Sequence, residues 1–408
     1  MPARRCDSGG ASEPLPTMRP LKLLILFDNL ELSGTHRVAL NLMDAAPGAQ
    51  IDCRALVCMS DKTGLSDTDA RIVWPAASRQ PTESLGAKLR KALVALREAT
   101  RLAREADCVV GTCPPSSLVA WWAGWRSGKP AVGWVHYDIE GRRRERAGAT
   151  TNWLRDSLQN LLYYRFIPRL PRLVCVSEST LASMARARGQ RPPGWARLPN
   201  PYVPAAFAAQ STALPRLQAL RAAGEPVILV LGRLARQKRW EDALAAAVEL
   251  HGLGLRVQWA FVGDGPERER FEAARRASPL HERLHWLGAD PNPRPLFAEC
   301  DALAMTSLYE AWPTVILEAF DLGLPVVAYD CPSGPAEMLG HGERGWVTRE
   351  APRALAEALA ERLGPGGPQE ALRRTAAGRA YLDEFLPARA LPLWRAYLER
   401  TVAEAARG

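Results

Sequence analysis

The chain alternates short apolar runs with longer segments of helical periodicity, and this alternation constrains its fold more than any other feature. LKLLILFD, DCVVGTC, LVCVSEST, PVILVLG and VQWAFVG read as buried strands. Between such runs lie VALNLMDAA, residues 82–106, SSLVAWWAGWRSG and WEDALAAAVEL, where apolar residues recur at helical spacing. Repeated strand–helix units imply parallel sheets with helices on both faces. In that architecture ligands bind beyond the carboxyl ends of the strands.

At 408 residues there is room for two or three domains. Residues 1–20 hold Arg4, Arg5, Gly9, Gly10, Pro14 and Pro16 without the apolar centre of a signal peptide, and read as a disordered leader, with Met18 as a second candidate start. The strand–helix pattern then divides into 21–205 and 206–385. Residues 205–225, which lack strand character, form the connection. The last helix, roughly Ala388 to Ala406, belongs to a terminal segment, 386–408.

No apolar run is long enough to span a bilayer. The 8 cysteines lack the His and Cys neighbours of a metal site, so they read as free thiols of a cytosolic protein. The net charge of +9 invites a polyanionic partner. No helix-turn-helix, zinc or base-stacking signature supports nucleic acid, which leaves an anionic membrane surface. Arg142, Arg143, Arg144 and Arg146 precede a stretch with Trp153, Tyr163, Tyr164, Phe166, Arg165, Arg169 and Arg172. As a basic, aromatic helix this stretch suits a lipid interface; as a core-facing helix it keeps a solvated basic side.

The most informative segment is TSLYEAWPTVILEAFDLG, Thr306 to Gly323. Pro313 and Gly323 bracket a short helix, since Pro suits a helix start and Gly follows an end. Glu310 precedes the helix and Glu318 lies in its second turn. The free N–H groups near Thr314 and Val315 suit a phosphate. Carboxylates on either side can accept from sugar hydroxyls. Two solvated glutamates are the plain alternative.

Further candidates sit at other strand ends. Gly34 lies in the loop after the first strand, where one glycine permits close backbone approach. His136 ends AVGWVH. Gly232, Arg233 and Lys238 lie in the loop GRLARQK, two cations able to clamp a diphosphate. Gly263-Asp264-Gly265-Pro266 is a tight turn that lacks the third glycine of a dinucleotide fingerprint. Asp67-Thr68-Asp69 has the letters of a metal motif but follows no strand, so no metal is expected.

Glu310, Glu318, Gly323, Pro325 and Val326, preceded in order by GRLARQK, resemble the signature of the retaining glycosyltransferases of family 4 with the GT-B fold. Trp134-x-His136, VSES and PNP are similar to weaker marks of that family's first domain, although Ser33-Gly34 stands where a Gly-Gly pair is usual. The resemblance implies an α/β protein of two Rossmann-like domains with the active site in the cleft between them. It implies a nucleotide-diphosphate sugar donor, uridine by preference, and a glycan or lipid-linked acceptor in cell-surface polysaccharide assembly. It also implies a last helix crossing back to the first domain, and no cofactor. Glu310 and His136 would then lie at the reacting sugar and Glu318 at the ribose. Arg233, Lys238 and the Thr314 helix start would face the diphosphate. A non-catalytic sugar-nucleotide-binding protein of the same fold is the competing class. A nicotinamide dehydrogenase would need the missing glycine.

Overall fold

The computed structural model describes residues 19–28, 34–58, 69–75, 85–147, 160–204 and 210–407. Among them the first sheet has seven strands: β1 Leu21–Phe27, β2 Ile51–Val57, β3 Ile72–Val73, β4 Cys108–Gly111, β5 Ala131–Val135, β6 Leu173–Cys175 and β7 Trp195–Arg197. Their order is β3-β2-β1-β4-β5-β6-β7. The second sheet has β8 Val227–Leu231, β9 Gln258–Val262, β10 Leu284–Gly288, β11 Ala302–Met305, β12 Val326–Tyr329 and β13 Trp346–Thr348. Its order is β10-β9-β8-β11-β12-β13. Every pairing is parallel. The apolar runs form the central strands: Ile25, Leu26 and Phe27 of β1 are fully buried, as are Val227, Ile228 and Leu229 of β8. This is the α/β arrangement of two Rossmann-like sheets.

β3, β7 and β13 are edge strands of two or three residues. They carry no apolar run of their own, and pairing with the neighbouring strand is what orders them. That explains why the sequence did not mark them.

The final helix, Pro387–Ala405, packs on the first sheet. Its Trp394 ring lies 4.6 Å from Trp134 of β5. The Trp394 indole N–H donates to the Pro199 carbonyl at 2.9 Å, and Arg395 donates to the Ala49 carbonyl at 2.6 Å.

The two halves also meet across the cleft. Tyr309 donates to Glu145 at 2.7 Å and Ser333 to Asp138 at 2.9 Å. Glu337 accepts from the backbone N–H groups of Glu178 and Ser179, at 3.0 and 3.1 Å. Gly141 is required here, because a Cβ at that position would lie 2.1 Å from the Cβ of Tyr309.

Residues 148–159 of the basic stretch after Arg142 lie outside the described residues, so only its two ends can be set against the expected helix. A helix spans Ile139–Ala147, and a π-helical turn spans Leu161–Phe166. Trp153 lies outside the described residues. Arg142 stacks 4.0 Å from the Tyr163 ring centroid, Arg143 lies 5.0 Å from that of Tyr164, and Arg144 pairs with Glu350 at 3.3 Å. Aromatic faces and a carboxylate of the second half attract these cations more than an open surface does. Arg142 is thus half-buried among aromatic rings, while Arg143 and Arg144 remain exposed. No described helix is long and apolar enough to cross a membrane.

Candidate active site

The Thr314–Leu322 helix follows Pro313 in extended conformation and ends at Gly323, whose φ of 71° admits the left-handed cap. First-turn N–H groups have no acceptor within their own helix. Those of Thr314 and Val315 therefore stay available at this helix start. The Gly34–Ala45 helix of the first half begins directly opposite: a Cβ on Gly34 would sit 3.5 Å from Thr314 Oγ1. Two helix starts, one from each half, thus converge, and their dipoles add positive potential at one point.

Beside this point runs a crevice lined by Arg37, Asn41, Asn200, Tyr202, Arg294 and Glu318. Asp321, one turn beyond Glu318, accepts from Arg294 at 2.8 Å and from Tyr202 at 2.9 Å. Glu318 makes no hydrogen bond or ion pair among the described residues. Part of the residue faces the crevice, yet protein crowds the carboxyl, and burial pushes its pKa up to about 7.

A second cluster lies at the mouth of β8 and β11. Lys238 and Glu310 form an ion pair, Nζ to Oε1 2.5 Å. The Ser307 hydroxyl donates to the same oxygen at 2.7 Å, and the Lys238 carbonyl accepts from Thr306 at 2.9 Å. Glu310 is buried, at 7% exposure. Lys238 and Arg233 line one hollow with Gly232. Arg233 is exposed, and its guanidinium has no partner among the described residues. Gly263 backs this loop with φ of 140°, and a Cβ there would lie 1.9 Å from the Gly232 carbonyl oxygen. The glycine lets β9 approach the cation loop.

His136 follows β5, its ring 4.6 Å from Trp134. Its Nε2 is shut off from solvent and unpartnered, although part of the residue remains open. Burial, helped by nearby His36, pushes its pKa down to about 3, so the imidazole is neutral.

The structure therefore joins Lys238 to Glu310, Gly34 to Thr314, and Gly263 to Gly232. It places Glu318 and Thr314 in one crevice, and His136 at the mouth of the first sheet. Of the Asp67-Thr68-Asp69 triplet only Asp69 is described, and Arg71 holds it through 2.6 and 3.0 Å contacts. No group of three or more His, Cys, Asp or Glu among the described residues is arranged to hold a metal.

Sequence reasoning missed Asp28, which follows β1. Its Oδ1 is buried without a partner, and burial pushes its pKa up to about 6, with Ser116 nearby opposing the shift. An acidic residue closing an apolar strand was the available signal. Arg294, Tyr202 and Asp321 were also missed, because they meet only in space.

Comparison with known proteins bears on both halves. Residues 32–203 match the family described as Glycosyltransferase Family 4, and residues 216–378 match Glycosyl transferases group 1. A 2-deoxystreptamine glucosyltransferase of Streptomyces kanamyceticus is 31% identical over 192 residues, covering 44% of this chain and 47% of that protein. A lipopolysaccharide 1,6-galactosyltransferase of Salmonella typhimurium is 32% identical over 125 residues, covering 29% of this chain and 34% of that protein. The matched stretches thus span less than half the length of these curated relatives. In fold, the chain resembles an Anabaena protein, HepE, solved with UDP and glucose. The TM-score is 0.73 at 19% identity, covering 93% of this chain and 99% of that one. It also resembles a sucrose-phosphate synthase of Thermosynechococcus elongatus, with a TM-score of 0.76 at 18% identity, covering 94% and 100%. Matched in sequence through both halves, in order, and in fold along nearly its whole length, the chain resembles the group 1 and family 4 glycosyltransferases and has their GT-B fold.

Proposed function

We propose that this protein transfers a sugar from a nucleoside-diphosphate sugar, a UDP-sugar, to a hydroxyl of a glycan or lipid-linked glycan in cell-surface polysaccharide assembly. The observation that carries this reading is the meeting of two helix starts at Gly34 and Thr314, four residues after Glu310, the carboxylate that Lys238 holds. One anion with charge on two phosphates suits that setting. The base is taken from HepE, whose structures hold UDP and UDP-glucose.

The bond between the anomeric carbon and the diphosphate oxygen breaks, and negative charge builds on the leaving phosphate. Arg233, Lys238 and the N–H groups of Thr314 and Val315 stabilise that charge. Glu318 accepts from the ribose hydroxyls. Glu310, fixed by Lys238 and Ser307, accepts from a hydroxyl of the donor sugar. The acceptor hydroxyl attacks from the face the phosphate leaves and gives it the proton, so configuration is retained. Products are the glycoside and UDP. Neutral His136 offers hydrogen bonds, not a proton charge, and Asp28 lies on the acceptor side. The cations and helix starts supply the positive charge, so no step is assigned to a metal or cofactor. The free thiols of the described cysteines agree with work on the cytoplasmic side.

The test is a panel of sugar nucleotides with purified protein, reading UDP release, transfer, and the anomeric configuration of the product by NMR. Turnover with retention supports the reading. Tight UDP binding with no turnover on any donor assigns the chain to a non-catalytic binder, and an inverted product contradicts the mechanism.

A further inference from the structure

The Pro114–Ser127 helix is built inside out. It is buried through Ser116, Ser117, Ala120, Ala123 and Gly124, and turns Leu118, Trp121, Trp122 and Trp125 to solvent. Trp125 is 64% exposed. The hydrophobic effect favours the reverse choice, with the large rings inward. These rings form a connected surface. Trp122 and Trp125 lie 5.4 Å apart, and Trp121 meets Phe166 edge-on at 6.0 Å. Leu161, in the turn beside Phe166, is 56% exposed.

Among the described residues of these two segments, the charge has one sign. Arg126 lies 5.9 Å over the Trp125 ring, and Arg165 and Arg169 are exposed beside Phe166. No acidic residue occurs between Pro114 and Lys129 or between Asn160 and Arg172. An indole is apolar across its body and carries one N–H, which suits the boundary between lipid tails and headgroups. Arginines at the same level suit lipid phosphates. A large exposed apolar patch marks a place of contact, and its cationic content selects an anionic partner.

We propose that the outer face of the Pro114–Ser127 helix, with the Leu161–Arg169 turn beside it, docks the protein on the headgroup boundary of a bilayer that carries anionic lipid. The docking is peripheral: three tryptophans enter the interface and three arginines meet phosphates. The face also lies close to the cleft. Tyr163, in the same turn as Leu161, packs 4.6 Å from Tyr137, the residue after His136. A docked first half therefore holds the acceptor side of the cleft near lipid, which deepens the lipid-linked acceptor reading. The docking itself does not depend on that reading.

The experiment uses the full chain and vesicles of phosphatidylcholine alone, or of equal parts phosphatidylcholine and phosphatidylglycerol. Co-sedimentation and quenching of tryptophan fluorescence by brominated lipid are read at low and high salt. The expected result is binding to the anionic vesicles, weakened by salt, with quenching. Replacing Trp121, Trp122 and Trp125 together by Ser removes the quenching and lowers partition at least roughly tenfold. Arg165→Ser with Arg169→Ser lowers partition by roughly tenfold at low salt. Exposed positions leave the fold intact, which circular dichroism checks. Transfer to a soluble acceptor stays unchanged in both variants, so failed docking and a failed transferase reading are told apart. No binding to anionic vesicles at low salt overturns the proposal, as does equal binding by the tryptophan variant. A dimer without lipid that the tryptophan variant abolishes also overturns it, by assigning the face to a second copy.

Discussion

Lys238 Nζ lies 2.5 Å from Glu310 Oε1, so the cation loop after β8 and the carboxylate loop after β11 are locked together at the sheet mouth. Sequence alone assigns the two residues separate tasks, Lys238 to a diphosphate and Glu310 to a sugar. The pair shows that each also sets the position of the other. Glu310 is buried and receives one further hydrogen bond, from Ser307.

Arg233→Ala and Lys238→Ala should therefore differ. Both should lower turnover by about 10²–10³-fold, the usual cost of losing one transition-state donor. Only Lys238→Ala leaves a buried carboxylate without its cation, so only it should also lower the melting temperature. Steady-state kinetics with thermal unfolding separates the two effects. Equal melting temperatures would argue against a structural part for the pair.

Glu318 gives a pH signature. Its carboxyl is raised from the ordinary 4.5 to about 7, mainly by burial. The folded state holds this proton longer than the unfolded chain does. The associated stability is fully present below about 4.5 and is lost as pH rises through about 7. Glu318→Gln should melt higher than the wild type at pH 8, with the difference vanishing near pH 4.5. The ionised form is also the one that accepts from ribose. Wild-type UDP affinity should then gain more between pH 6 and pH 8 than that of Glu318→Gln, by calorimetry. Parallel affinity profiles would remove Glu318 from the ribose site.

Much of this was legible beforehand, for physical reasons. The central strands showed because each is buried on both faces and must be apolar throughout. The Thr314–Leu322 helix showed because Pro313 and Gly323 mark its ends chemically. β3 and β7 did not show, because an edge strand of two or three residues takes its order from its neighbour. The contact of Arg142 with Tyr163 was not legible, because an arginine under an aromatic ring has the same letters as one in water. The cluster of Arg294, Tyr202 and Asp321 spans 119 positions and is assembled only by packing.

Gly263 tests the support behind the cation loop. Gly263→Ala places a methyl 1.9 Å from the Gly232 carbonyl oxygen, at a φ of 140°. It should cost about 1–3 kcal/mol of stability and weaken nucleotide binding by displacing Gly232, Arg233 and Lys238. Gly48→Ala, where a Cβ meets nothing within 4 Å, is the control and should be near neutral. Denaturant unfolding reads the first effect and calorimetry the second.

Trp394 tests the returning helix. It is fully buried, packed edge-on against Trp134, and donates to the Pro199 carbonyl. Trp394→Ala should cost about 3–5 kcal/mol. Trp394→Phe should cost about 1–3 kcal/mol, chiefly for the carbonyl left without a donor. Because Trp134 also touches His136, both variants should lower turnover more than they lower UDP affinity.

The central claim is that the Gly34 and Thr314 helix starts, together with Arg233 and Lys238, form the diphosphate site of a sugar-nucleotide donor. Calorimetric titration of UDP and of uridine into wild type and the double variant Arg233→Ala with Lys238→Ala tests it most directly. The account predicts UDP bound far more tightly than uridine by the wild type. In the double variant, the advantage of UDP over uridine should shrink sharply, to the part the helix starts supply, while uridine is little changed. Equal affinity of the wild type for UDP and uridine, or full UDP affinity in the double variant, would contradict it.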